Sequence, residues 1–211
     1  MRKKRTLKGC FLRVLLFLAL VGAVAAAAHW GLTYRERLRY AREGMPIAPV
    51  FQYDYPEAVC TIGGVNKSVA SSGCGAVCMS MAIDFLTGDT LQTPQTLFEE
   101  AYQNGDYTGY GLTHEAMDHL AEAHGISAAW ISGDEKAIRS ALRSGYPIIA
   151  HMGPGSFTRE GHYILLRGVT ENGSVLVNDP NSESRTWSTW DLQDIIREAK
   201  GEKPFMVCRK G

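Results

Sequence analysis

Cys74, in Ser71-Ser72-Gly73-Cys74-Gly75-Ala76, stands at the expected start of a helix, and Gly161-His162-Tyr163 and Asn178-Asp179-Pro180 lie on later strand-like runs. A thiol, an imidazole and a carboxylate in that order can serve as nucleophile, general base and the group that orients the base. The chemistry would be amide hydrolysis: sulfur attacks a carbonyl, imidazole protonates the leaving amine, and water resolves the thioester. A helix amino terminus favours thiolate over thiol, because it carries partial positive charge and unpaired backbone N–H groups. Gly73 and Gly75 are expected to leave the sulfur uncrowded, with the Cys74 N–H available to an oxyanion. Gln52, 22 residues before the cysteine, would supply a second oxyanion donor, a contribution typically worth about 3 kcal/mol.

Taken singly these residues say little. A lone cysteine is more often buried and structural, and Asp-Pro commonly ends a strand. Cys78, one turn further along among Met79, Met81 and Ile83, reads as core. The 17 residues between His162 and Asp179 span a hairpin signal at Asn172-Gly173. A plain two-residue turn there pairs Asp179 with Leu166, leaving His162 on the same face but four residues away. A bulge or a wider loop must close that gap.

The elements that would position these groups follow from punctuation. Val50 to Tyr53 is expected to form a short strand after the extended Met45-Pro-Ile-Ala-Pro49. Helices are expected from Cys74 to Leu86, after the Thr93 cap with Pro94 at the first position, from Thr113 to His124, and from Asp134 to Ser144. Strands follow at Pro147–Met152, His162–Val169 and Ser174–Asn178, then a helix near Asp191–Lys200 and a closing strand at Phe205–Cys208. Helices first and antiparallel strands second is an α+β arrangement.

The amino-terminal end differs from the rest. Arg2, Lys3, Lys4, Arg5 and Lys8 precede an apolar run from Val14 to Ala28, with small residues Ala26 and Ala28 before His29. That is the pattern of a cleaved signal peptide. Counted to Leu32 the run has 19 residues, enough for an uncleaved anchor helix. Both alternatives place residues beyond the run outside the cytoplasmic membrane. The chain divides into residues 1–32 as signal or anchor, 33–49 as charged stalk and linker, and 50–211 as the domain. The whole chain has 22 basic and 22 acidic residues, but residues 1–44 take ten of the former and two of the latter. The remainder, with 12 basic and 20 acidic residues, is net −8, which argues against nucleic acid as a partner. Cys60, Cys74, Cys78 and Cys208 could form two disulfides, or at most one if Cys74 is a free nucleophile.

Rival motifs fail on geometry. His114 and His119 are five apart, whereas zinc peptidases of the His-Glu-x-x-His type need four to share a helix face. A solvated helix face is the better account of them. Gly153-Pro-Gly-Ser156 lacks the nucleophile-elbow pattern and reads as a flexible loop near His162.

Phe51-Gln52-Tyr53-Asp54-Tyr55-Pro56, Ser71-Ser72-Gly73-Cys74-Gly75, Gly161-His162-Tyr163 and Val177-Asn178-Asp179-Pro180 resemble the motifs of the cysteine-peptidase family 39-like domains. These are papain-like relatives of the double-glycine leader peptidases. The resemblance, over about residues 50–208, implies a papain-like fold with Cys74 as nucleophile, His162 as base, Asp179 as orienter and Gln52 as oxyanion donor. Ala76 departs from the proline that many members carry there. The expectation is an exported cysteine peptidase acting on peptide or protein, with no metal or organic cofactor called for. Two alternatives stay open: a peptidoglycan amidase or transamidase, and a catalytically silent peptide-binding domain.

Overall fold

The computed structural model describes residues 12–28, 31 and 43–211. The chain divides into two compact units, residues 1–41 and 42–211. In the first, residues 12–28 are helical with exposed side chains. Among the described residues no helix is long and apolar enough to cross a membrane. The count to Leu32, on which the anchor reading rests, runs past residue 28, where the described part of that helix ends. His29, Trp30, Leu32 and the charged stalk to Arg42 lie outside the described residues.

The second unit opens earlier than residue 50. Met45 and Ile47 are buried in its core, so the assigned linker is a strap bound to the sheet. Gln52–Asp54 is a 3₁₀ turn, not a strand. It is followed by a two-stranded hairpin, β1 (Ala58–Ile62) and β2 (Val65–Ser68), that periodicity had not suggested. The connecting Gly63 and Gly64 both have positive φ, 58° and 78°, the conformation that a two-residue hairpin loop of this type demands.

The helices are α1 (Val69–Ser72), α2 (Cys74–Thr87), α3 (Pro94–Gln103), α4 (His114–Ala123), α5 (Glu135–Arg143), α6 (Glu183–Thr186) and α7 (Leu192–Glu198). The caps expected at Thr93 and Asp134 hold, and Thr113, expected inside its helix, is a cap as well: each accepts backbone N–H bonds of the first turn. The remaining strands are β3 (Ile126–Ile131), β4 (Ile148–Met152), β5 (His162–Val169), β6 (Val175–Asn178), β7 (Thr189–Trp190) and β8 (Phe205–Lys210). They form an antiparallel sheet in the order β3-β8-β4-β5-β6-β7. Helices therefore dominate the first half and antiparallel strands the second.

Helix α2 is the central rod. Every residue from Gly75 to Ile83 is buried, and it packs on β5, α3 and α4. The strand behind it, β5, is buried from His162 through Gly168. Nucleophile and base candidates thus sit at the starts of two largely buried elements, where packing holds the backbone in place.

Candidate active site

Cys74 is the first residue of α2, with Gly73 as N-cap. The flanking glycines serve packing as well as access to the sulfur. A Cβ on Gly73 would lie 2.6 Å from the Val69 Cα, and one on Gly75 would lie 3.0 Å from the Met117 sulfur. Backbone approach therefore requires glycine at position 73, and tight helix packing favours it at position 75.

The turn and register of the β5–β6 hairpin decide how His162 meets Asp179. Thr170 bonds Ser174 backbone to backbone at 2.8 Å, enclosing Glu171, Asn172 and Gly173, with Gly173 at φ 87°. The loop thus has three residues, not two, and it pairs Val169 with Val175 and Gly168 with Leu176. Continued unbroken, that register would set Asp179 opposite Leu165, on the face away from His162. The ladder shifts between Leu166 and Gly168, so that Leu165 pairs with Asn178. One extra residue on β5 flips the face. Asp179 then falls opposite Ile164, a diagonal neighbour of His162 on the same side. Asp179 Oδ1 accepts from His162 Nε2 at 2.8 Å.

The bulged residue, Arg167, is fully buried. Its carbonyl accepts the Met45 N–H at 2.8 Å, and its Nη1 donates to the Glu43 and Met45 carbonyls. The strap thus satisfies backbone groups that the bulge releases from the ladder.

With His162 Nε2 on the carboxylate, Nδ1 is the nitrogen left for the Cys74 sulfur, and thiol and ring shift each other's protonation. Burial opposes charge on both groups, but their mutual attraction wins. The Cys74 thiol is held below its ordinary pKa by the His162 hydrogen bond and charge and by the Tyr163 and Gly75 N–H groups. Burial would lower the imidazole, yet the bonds to Asp179 and Cys74 push it up to about 9. Asp179 is fully buried and, against the desolvation that would raise it, is held below the usual carboxylate range by His162, Arg185 and the Asn181 N–H. These are the directions of a thiolate–imidazolium pair steadied by a carboxylate.

Arg185 was not singled out in the sequence. It lies on the short helix α6, and its Nε donates to Asp179 Oδ2. Nothing local marks it, since the contact depends on where β6 delivers Asp179. Gln52 is buried, with its N–H on the Pro180 carbonyl at 2.8 Å and its Nε2 on the Ala70 carbonyl at 3.0 Å. It therefore ties the aspartate turn to the segment leading into α2, and one amide hydrogen remains for another acceptor.

The other cysteines are set apart. Cys60, Cys78 and Cys208 are buried, and all four cysteines of this unit are free, so neither disulfide alternative is formed among the described residues. Burial pushes the Cys208 thiol up to about 12 and raises Cys60 and Cys78 as well. Cys74 is half-buried and lines a cleft of about 680 Å³ whose walls include Tyr110, Leu112, His162 and Tyr163.

His114 does not sit on a solvated face. It lines that cleft, stacks on Trp130 at 3.7 Å and meets His151 at 3.1 Å, whereas His119 is exposed and bonds Asp106. The Gly153–Ser156 loop is pinned rather than free: both Glu198 carboxylate oxygens accept from Ser156, at 2.7 and 2.9 Å.

Two solved structures share the architecture. The peptidase domain of Streptococcus ComA, a bifunctional ABC transporter of a quorum-sensing pathway, superposes with a TM-score of 0.51 at 18% identity, over 67% of this chain and 93% of that one. The double-glycine-motif protease of an AMS/PCAT transporter, solved with a leader peptide, gives 0.51 at 14% identity, over 81% and 96%. At that identity the likeness is one of fold. No curated protein matches the chain. The Peptidase_C39 like family matches residues 46–203, a span that holds α2, the bulged β5–β6 hairpin and all four residues of the candidate site, and the chain belongs to that family.

Proposed function

We propose that this chain is a cysteine peptidase that hydrolyses peptide bonds through Cys74, His162 and Asp179. The observation that carries the reading is a buried imidazole bonded to a buried carboxylate and electrostatically coupled to a thiol, with imidazole and thiol both lining one open cleft. Cys74 thiolate attacks the carbonyl carbon. The oxyanion is held by the Cys74 N–H at the start of α2 and by the remaining Gln52 amide hydrogen. His162 passes its Nδ1 proton to the leaving amine, then accepts one from the water that attacks the thioester. Asp179 keeps the ring oriented and stabilises its cation, and Arg185 and the Asn181 N–H hold Asp179 in turn.

Peptide as substrate class is supported by family membership and by the fold neighbour bound to its leader peptide. Export from the cytoplasm is part of the proposal. It rests on the basic cluster at residues 2–8 and the apolar run from Val14 to Ala28.

The test is digestion of a mixed peptide library by the wild type and Cys74→Ala, with cleavage and the acyl-enzyme followed by mass spectrometry. Cleavage lost in Cys74→Ala, with a thioester trapped on Cys74 at low pH, is expected. Muropeptide cleavage without peptide cleavage would move the reading to a wall amidase. Neither activity, with no acyl-enzyme, would leave a silent binding domain.

A further inference from the structure

The cleft holds a second group of side chains that the hydrolytic steps do not use. His151, on β4, lies between two aromatic neighbours: its ring stacks on Tyr163 at 4.6 Å, and His114, itself stacked on Trp130, meets it edge-on. His114 Nε2 and His151 Nδ1 are 3.1 Å apart, so one ring donates to the other. Both rings are held neutral-leaning by burial, which drives His151 down to about 4 with help from the nearby positive charges of His114, Lys200 and His162.

The free nitrogen of His151 points at the rim beside the nucleophile. A Cβ built on Gly161 would lie 3.6 Å from His151 Nε2 and 3.5 Å from Lys200 Nζ. The ammonium and the imidazole nitrogen therefore converge over the residue next to His162, within about 7 Å of each other by these two distances. Lys200 is anchored through its backbone, its N–H donating to the His151 carbonyl at 2.8 Å. Its ammonium forms no ion pair among the described residues. Glu160, the one carboxylate among the described residues lining the cleft, is exposed and does not reach it.

From this convergence we propose that Lys200 Nζ and His151 Nε2 bind a carboxylate of the substrate next to the amide that Cys74 attacks. If His114 Nε2–H donates to His151 Nδ1, His151 carries its proton on Nε2 and presents a neutral donor beside the lysine cation. An arriving carboxylate selects that tautomer, and the stacked His114–Trp130 pair holds it. The substrate class is a peptide with an acidic side chain, or a free terminal carboxylate, adjoining the scissile bond. The net −8 charge of residues 45–211 would repel such a peptide from most of the surface, so this corner supplies the local attraction. The inference rests on the cleft being the peptide-binding face and deepens the hydrolase reading, so its test does not depend on turnover.

Four pools of acetylated tripeptides serve as probes: Glu or Gln at the variable position, each with a carboxylate or a carboxamide end. The readout is protection of Cys74 from iodoacetamide, normalised for each protein to its own unprotected rate. Acid-bearing pools should protect the wild type at about tenfold lower concentration than the all-neutral pool, as one charge-assisted contact implies. Lys200→Gln should erase that preference and Lys200→Arg should keep it; Lys200 is exposed, so the fold does not depend on it. Which acid pool protects tells side chain from terminus. Equal protection by all four pools, or a preference that survives Lys200→Gln, would overturn the proposal. Acid-selective protection by a protein that hydrolyses nothing would instead uphold the corner and refute the hydrolase.

Discussion

Replacing Asp179 with Asn removes one buried charge and nearly no volume. In the folded protein His162 is raised from the ordinary 6.5 to about 9 although burial opposes the change. At about 1.4 kcal/mol per pH unit, that rise favours the imidazolium by about 3 kcal/mol. A unit charge at about 4 Å in a medium of effective dielectric about 20 contributes about 4 kcal/mol, so the carboxylate at 2.8 Å from Nε2, together with the share of Cys74, is large enough to overcome burial and supply it. Asp179→Asn should therefore bring His162 down by about two to three pH units. Cys74 loses its cation at neutral pH, and its thiol climbs back toward an ordinary value. The assay is iodoacetamide alkylation of Cys74 from pH 4 to 10, read by mass spectrometry of the Cys74 peptide, with His162 followed by NMR. The wild type should react on an acidic plateau, whereas the variant should need alkaline pH. An alkylation profile that does not move, or a His162 that titrates alike in both proteins, would refute the reasoning.

At pH 6 iodoacetamide should modify Cys74 at least about a hundredfold faster than Cys60, Cys78 or Cys208, because only the first is both accessible and held as thiolate; equal rates across the four would remove the ion pair. Stability should fall on both sides of neutrality. The depressed Asp179 carboxyl contributes above its unfolded pKa, about 4, and that contribution is lost as pH falls through the lower folded value. The raised His162 contributes fully below its unfolded pKa, about 6.5, and its share is lost as pH rises through about 9. Thermal melts of the wild type and Asp179→Asn should diverge at neutral pH and converge at both extremes; parallel curves would contradict the linkage. Gly168→Ala should destabilise by about 1–3 kcal/mol in urea melts, since its Cβ would stand 2.6 Å from the Gly44 Cα; an unchanged midpoint would mean that the strap is not held against β5. Gln52→Ala should lower kcat about a hundredfold with KM little changed if its amide meets the oxyanion, whereas a change in Tm alone would make it a brace for the aspartate turn.

Helix limits were legible because they are local. Thr93, Thr113 and Asp134 bond N–H groups two or three residues away, and Gly88, at φ 76°, ends α2 within a single turn. The short pieces were not. Gln52–Asp54 has the residues of a strand, but its N–H groups bond the Pro180 and Phe51 carbonyls rather than a neighbouring strand. β1, β2 and β3 carry mixed burial with no clean alternation, so periodicity could not announce them.

Cys74 at a helix start, with His162 and Asp179 at opposite ends of a hairpin, can be read from residue types alone, since caps, turns and strand runs act within a few residues of themselves. Whether imidazole and carboxylate share a face is a matter of parity, and parity turns on one extra residue. That residue, Arg167, leaves the ladder where the Glu43–Met45 strap donates an N–H to its carbonyl and accepts its side-chain bonds. The strap contact spans more than a hundred residues of chain and leaves no periodic trace. The Arg185 brace and the convergence of His151 and Lys200 depend on where the sheet delivers their partners, so only the tertiary structure could decide all three.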